Sequence, residues 1–266
     1  MNTIVETQQL SIAFGGLMAV DNLNMNVEEE TSLGIIGPNG AGKTTVFNLL
    51  TGVYKPSQGS VVFKGREIHA LTPHEIVSLG IARTFQNIRL YRSLSVLENV
   101  MVGYAVRLKE PVWMAILLPR SARRQRARWV DECERLLELV GVLDAEDEPA
   151  TALPYGKQRL VEIARALATG SQVLLLDEPS AGMNPAEKAE LMNLITRIRS
   201  QMHLTTIIIE HDMKVVMNLV ERMIVLDYGK KIAEGTPEEV KNNPDVIEAY
   251  LGTDAEEADL QTKEGT

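Results

Sequence analysis

The stretch TSLGIIGPNGAGKTTVFNLLTG, residues 31–52, decides the fold. It opens as a short apolar strand at 31–36, turns on Gly37, and enters a helical pattern at Lys43 that stops before Gly52. Residues 37–44, GPNGAGKT, match G-x-x-x-x-G-K-[ST] in full, between the strand and the helix that such a loop needs. The residue types suit one task. Gly37, Gly40 and Gly42 allow positive φ and a close approach of backbone to phosphate, while the loop amides and the helix N-terminus form an anion nest. Lys43 reaches toward β- and γ-phosphates, and Thr44 offers a hydroxyl to Mg2+. Pro38, Asn39, Ala41 and Thr45 complete the loop.

Downstream, VLLLDE at 173–178 is four apolar residues ending in two acids. That pattern describes a buried strand delivering a carboxylate at its C-terminal edge, where ligands bind in sheets of this kind. Asp177 is expected to hold Mg2+ through water, and Glu178 to polarise an attacking water. From 151 onward helix and strand alternate: helix 157–169, strand 173–177, helix 185–201, strand 205–209, helix 212–220, then strands near 222–227 and 230–234. Alternation with apolar strands predicts an α/β fold with a parallel sheet covered on both faces.

Upstream, residues 4–27 alternate in the strand manner, with Val20, Leu23, Met25 and Val27 apolar among polar neighbours. Gly15-Gly16 reads as the turn of a hairpin. A further strand is expected at 60–64. Residues 73–150 read as mainly helical: Thr72 and Pro73 open one helix, and Ser95 with Glu98 forms a capping box before another. Val130, Cys133, Leu137 and Val140 recur every three or four residues, so Cys133 is expected to be a buried small apolar group.

Composition narrows the function. The chain has 266 residues with 27 Lys+Arg against 36 Asp+Glu, a net charge of −9, and 45% hydrophobic residues. This is globular composition, and the acidic balance with 5% aromatics argues against a nucleic-acid partner. A single cysteine permits no internal disulfide and no Cys/His metal cluster. No apolar run approaches the roughly 18 residues of a membrane span, the longest being 112–118, and the N-terminus has no signal-peptide pattern. No N-K-x-D guanine signature occurs.

Residues 153–169, LPYGKQRLVEIARALAT, about 20 residues before Asp177, resemble the signature segment of the ATP-binding cassette (ABC) family, usually close to L-S-G-G-Q. With Phe14, Gln86 and His211 the family's motifs stand in order over about residues 3–252. The resemblance implies a P-loop NTPase fold of ABC type: a mixed central sheet, an N-terminal antiparallel β part, and a helical signature subdomain. The ATPase domain would span 1–252 with the helical part inserted at about 88–168. Residues 253–266, with Asp254, Glu256, Glu257, Asp259 and Glu264, read as a frayed acidic tail. In the family two cassettes pack head to tail around two ATP molecules. The resemblance therefore gives ATP contacts from across that interface to Tyr155, Gly156, Lys157 and Gln158. It gives adenine stacking to Phe14, the bridge between Mg2+ and the attacking water to Gln86, and a γ-phosphate contact to His211. Two positions depart from the family pattern: Pro154 stands at the signature serine, and Asn184 where most cassettes have Asp.

Finer resemblance lies in SIAFGGLMAVDNLNM, GIARTFQNIRLYRSLSVLENVMVG, IIEHDMKVVM and NPDVIEAYLG. These are similar to the first ATPase subunit of bacterial branched-chain amino acid importers, with urea importers and the lipopolysaccharide-export ATPase as relatives. The resemblance implies a second ATPase subunit as partner, or a homodimer in isolation. It also implies two permeases, indirectly a periplasmic binding protein, and a peripheral place on the cytoplasmic face of the inner membrane. Soluble ABC ATPases of translation or DNA repair usually carry two cassettes or a long coiled-coil insert, and this chain has neither. The segment 105–128 ends in Arg120, Arg123, Arg124, Arg126 and Arg128, which suit lipid headgroups, a permease loop, or equally a solvated helical face.

Overall fold

A computed structural model describes residues 2–107 and 120–250, and for 120–126 only the backbone. The strands are β1 (Thr3–Phe14), β2 (Leu17–Glu28), β3 (Ser32–Ile36), β4 (Gln58–Phe63), β5 (Arg66–Glu67), β6 (Ile81–Arg83), β7 (Val173–Asp177), β8 (Thr205–Ile209), β9 (Arg222–Asp227) and β10 (Lys230–Gly235). The helices are α1 (Lys43–Leu50), α2 (Pro73–Leu79), α3 (Val96–Ala105), α4 (Arg120–Val140), α5 (Tyr155–Ala168), α6 (Pro185–Met202), α7 (Met213–Leu219) and α8 (Pro237–Lys241). The chain forms two compact units, one from Met1–Thr72 with the residues from Thr205 onward, the other from Pro73–Leu204.

In the first unit β1 and β2 form the expected hairpin about Gly15-Gly16, and β1 pairs on its other side with β4, which pairs with β5. A second set runs β10-β9-β3-β8: β3 lies parallel to β8 and β9, and β10 antiparallel to β9. Every residue of β3 and β8 is buried, which is why both read as continuous apolar runs rather than alternating ones. The polar exceptions are satisfied: Thr206 Oγ1 donates to Ser32 Oγ at 2.8 Å, and Thr205 Oγ1 accepts from the Glu30 amide at 2.8 Å. Helix α1 buries Val46, Phe47, Leu49 and Leu50, each contributing about 1.5–3 kcal/mol by leaving water. Thr51 closes it by donating to Phe47 O at 2.7 Å, and Gly52 turns the chain with φ 70°.

In the second unit β6 and β7 pair in parallel, with Arg83 opposite Leu175. This unit contains the described residues of the range 88–168 together with β6, β7 and α6. Ser95 and Glu98 make the expected capping box, the Glu98 amide donating to Ser95 Oγ at 3.2 Å and the Ser95 amide to Glu98 Oε2 at 2.9 Å. The buried Asn99 amide group donates to the carbonyls of Tyr91, Leu94 and Ser95, so it holds the loop entering α3. Helices α3 and α5 cross closely at Gly103, where a Cβ would stand 2.0 Å from Arg165 O. Helix α4 buries Cys133, Leu137 and Val140 as the spacing predicts, while Val130, the first residue of that series, is half-buried.

Four elements depart from the sequence expectation. Residues 73–150 are not all helix, because β6 lies inside them; three residues are too few for period two to show. The two-residue β5 and the one-turn α8 escaped for the same reason of length. Helical residues 244–250 also follow α8. The apolar run 112–118 and the acidic tail 253–266 lie outside the described residues, as do the side chains of Arg120, Arg123, Arg124 and Arg126; Arg128 is exposed. Among the described residues no helix is long and apolar enough to cross a membrane.

Burial first, and the neighbouring Glu132 charge second, push the Cys133 thiol up to about 11. At pH 8 only about one thiol in a thousand is then the reactive thiolate. Native protein is therefore expected to resist iodoacetamide at pH 8 while urea-unfolded protein is alkylated fully, as read by intact-mass spectrometry.

Candidate nucleotide site

In the first unit the phosphate loop joins β3 to α1. Gly37 has φ 147°, and a Cβ there would lie 2.0 Å from Leu226 O; Gly42 has φ 100°, and its Cβ would lie 2.3 Å from Ala19 O. Both positions exclude a side chain through backbone that is already packed on the loop. Gly40 differs: its φ is 79° but nothing lies within 4 Å of a Cβ, so only the left-handed conformation demands glycine. The β9–β10 turn braces the loop, the Gly229 amide donating to Ala41 O at 3.1 Å. Lys43 is buried, and its Nζ donates to Gly37 O at 2.6 Å and Pro38 O at 2.7 Å. The loop is thus folded round its own cation. Pro38 and Ala41 are buried, Thr45 is half-buried, and Asn39, Gly40 and Thr44 are exposed.

Two other expected residues belong to this unit. Phe14, at the end of β1, is 44% exposed and meets Tyr54 edge to face, ring centroids 5.1 Å apart. His211 follows β8 and is exposed; Asp212 next to it caps α7, Oδ1 accepting from the Lys214 amide at 3.0 Å.

The second unit holds the acids. Asp177 ends β7 with 3% exposure, and Arg83 Nη2 donates to its Oδ2 at 2.6 Å. Glu178 takes φ 44°, a left-handed backbone that costs a non-glycine residue about 1–2 kcal/mol. Such strain persists where the surroundings impose it, and it concentrates at functional positions. Gln86 Nε2 donates to Glu178 Oε2 at 2.8 Å, so two of the residues expected to act in catalysis stand together.

The segment 153–158 opens α5. No side chain caps this helix at Pro154, which leaves its first amides to other partners. Tyr155 is 44% exposed, and a Cβ at Gly156 would meet Glu187 Oε1 at 3.4 Å. Gln158 turns back, Nε2 donating to Leu153 O at 2.8 Å. Lys157 makes a loose exposed pair with Asp144 at 3.5 Å, which contributes little.

Two residues that sequence reasoning missed tie this helix to the Gln86 loop. Arg159 is fully buried; Nη1 donates to Phe85 O at 2.5 Å, Nη2 to Gln86 O at 2.7 Å and to Tyr155 Oη at 3.2 Å. Glu162 Oε2 accepts from Arg159 Nη1 at 2.8 Å, and its Oε1 faces the amides of Phe85 and Arg89, each at 3.4 Å. Burial raises the Glu162 carboxyl above the usual range, opposed by the Arg159 and Arg165 charges and those two amides. The available signal was an i,i+3 Arg–Glu pair set among apolar residues of a helix rather than on its wet face. Arg83, the third missed residue, ends one strand as Asp177 ends its parallel neighbour, so opposite charges leave one end of a strand pair.

These features define a P-loop nucleotide hydrolase. The ABC transporter family model matches residues 20–181, and a model described as branched-chain amino acid ATP-binding cassette transporter matches residues 230–256. The chain belongs to the ATP-binding cassettes of the ABC transporter family and is a transport-coupled ATPase. It is 44% identical over 243 residues to the high-affinity branched-chain amino acid transport ATP-binding protein LivG of Salmonella typhimurium, covering 91% of this chain and 95% of that protein. A crystal structure of the ADP conformation of an ABC transporter cassette matches with TM-score 0.82 and 31% identity over 95% of this chain and 100% of that one. A dimeric, post-hydrolysis cassette bound to ADP and Pi matches with TM-score 0.72 and 25% identity over 88% and 99% of the two chains.

Removing one partner of a buried ion pair costs about 3–5 kcal/mol, because the other charge stays buried alone. Arg159→Met is expected to lose that much in urea unfolding, and Arg159→Met/Glu162→Leu to recover only part of it, because the carbonyls of Phe85 and Gln86 lose their donor in both variants. Equal loss in the single and double variants would show that the pair is not the stabilising unit.

Proposed function

We propose that this chain is the ATP-hydrolysing subunit of an importer for branched-chain amino acids, working on the cytoplasmic face of the membrane. The observation that carries this is the 44% identity to LivG over nearly the whole of both chains, with the phosphate loop, Asp177-Glu178 and Gln86 within the aligned span. The partners are a second ATPase subunit and two permeases, with a periplasmic binding protein acting through the permeases. The dimeric cassette among the structural matches supports pairing of cassettes.

In this reading ATP binds on the loop at 37–45, with the adenine on Phe14. Lys43 exchanges its two loop carbonyls for β- and γ-phosphate oxygens, so the cation is already in place and only its acceptors change. Thr44, Gln86 and Asp177 offer hydroxyl, amide and carboxylate oxygens, a hard donor set that fits Mg2+. That ion, when bound, neutralises phosphate charge. Glu178 polarises the attacking water, and Gln86, which holds its carboxylate, sets the direction of that base. His211 contacts the γ-phosphate. Across the paired cassette, Tyr155, Gly156, Lys157 and Gln158 present the uncapped start of α5, whose amides and dipole favour an anion.

Lys43→Ala is expected to abolish ATP binding in equilibrium titration, while Glu178→Gln keeps binding and stops hydrolysis. Turnover of the Gln variant within a few-fold of wild type would remove Glu178 as the base.

Pairing has its own signature. The ATPase rate per subunit of the isolated chain should fall on dilution and rise when the second subunit and permeases are added. A high rate that is independent of concentration down to nanomolar levels would mean the site is complete within one chain.

A further inference from the structure

The family motifs leave Arg83 without a role. It ends β6, Asp177 ends β7, and the parallel register sends both side chains from the same end of the strand pair. Their side chains are 6% and 4% exposed, and Nη2 lies 2.6 Å from Oδ2. The guanidinium also stands over the Phe85 ring, 5.2 Å from its centroid, on the loop that carries Gln86. A carboxylate withdrawn this far from water needs a cation or several donors. Arg83 is that cation in this structure, at the acid that the functional reading assigns to Mg2+.

We propose that Arg83 is a positioning residue that acts as the resident counter-ion of Asp177 and sets how strongly ATP binding depends on Mg2+. The proposal rests on the reading of Asp177 as a metal-side acid. Arg83 acts twice. Without metal it neutralises Asp177, so the end of β7 stays folded. When a divalent cation approaches, Arg83 repels it and has already taken part of the charge it would meet. Both effects reduce the gain from metal.

The test compares wild type, Arg83→Gln, Arg83→Lys and Asp177→Asn by equilibrium binding of ATP in Mg2+ and in excess EDTA, and by thermal unfolding under the same conditions. Arg83→Gln keeps a donor and loses the charge. Its melting temperature should fall without metal, its Mg2+·ATP-induced rise should exceed that of wild type, and its ratio of affinities with and without Mg2+ should increase about tenfold. Arg83→Lys keeps a cation and should stay nearer wild type. A lower melting temperature with an unchanged affinity ratio would make Arg83 merely structural and overturn the proposal. If Arg83→Gln folds only with Mg2+·ATP and unfolds on chelation, that is the expected effect in its extreme form; failure to fold even with Mg2+·ATP overturns it. Asp177→Asn separates the two levels. Should it keep the wild-type ratio, the metal reading of Asp177 fails and the proposal with it. Should it lose the Mg2+ dependence while Arg83→Gln keeps the wild-type ratio, only the role of Arg83 falls.

Discussion

The first unit depends on a clearance between backbone and backbone. Leu226 O and Ala19 O occupy the space where side chains at 37 and 42 would begin, at 2.0 and 2.3 Å. The phosphate loop can therefore close only as glycine at those two positions. Its closure lets β9 and β2 pack on it, lets the Gly229 amide reach Ala41 O, and directs Lys43 to the carbonyls of Gly37 and Pro38. The loop is held in this shape by the protein's own backbone. Binding energy for a phosphate is then spent on the ligand rather than on ordering the site.

The second unit rests on buried charge instead. Arg83 holds Asp177, and Arg159 with Glu162 holds the carbonyls and amides of the 85–89 segment. Gln86 reaches Glu178 from that segment. Asp177, Gln86 and Tyr155 are thus each bonded directly to a charge of a buried ion pair, and buried charges are screened little by salt. Burial makes these pairs demanding: a missing partner leaves an uncompensated charge, so they specify one arrangement even where their net stabilisation is small.

Most of the fold was legible because its signals are local. The β3–loop–α1 run, the buried strands β7 and β8, the β1–β2 hairpin and the Ser95–Glu98 cap each lie within a few consecutive residues. Candidates for the site stand out in the sequence where a residue type is forced by its own chemistry, as at Lys43 and Asp177. The site was illegible where the partner is distant in the chain. Arg159 donates to residues 73 and 74 positions earlier, and Arg83 pairs across 94 positions, separations at which no spacing rule operates. The glycines were anticipated for phosphate approach. The structure adds an earlier reason at 37 and 42 and leaves only conformational freedom at Gly40.

The two departures from the family pattern have different physical weight. Asn184 caps α6, its Oδ1 accepting from the amides of Ala186 and Glu187 at 2.9 and 3.0 Å while the Asn184 amide donates to Glu187 Oε2 at 2.9 Å. Asn and Asp are nearly equal helix caps, so this exchange keeps the turn after Glu178 and removes only a charge. Pro154 is the larger change. A serine there would cap α5 with its own oxygen, and proline supplies none, so the amides at the start of α5 keep their donors for whatever anion is brought to them. The loss of one hydroxyl donor is thus set against an uncapped helix end. Tyr155 is held meanwhile from inside the protein, by Arg159 on its hydroxyl at 3.2 Å. The start of α5 is thus fixed from behind by the buried Arg159, whatever residue stands at 154.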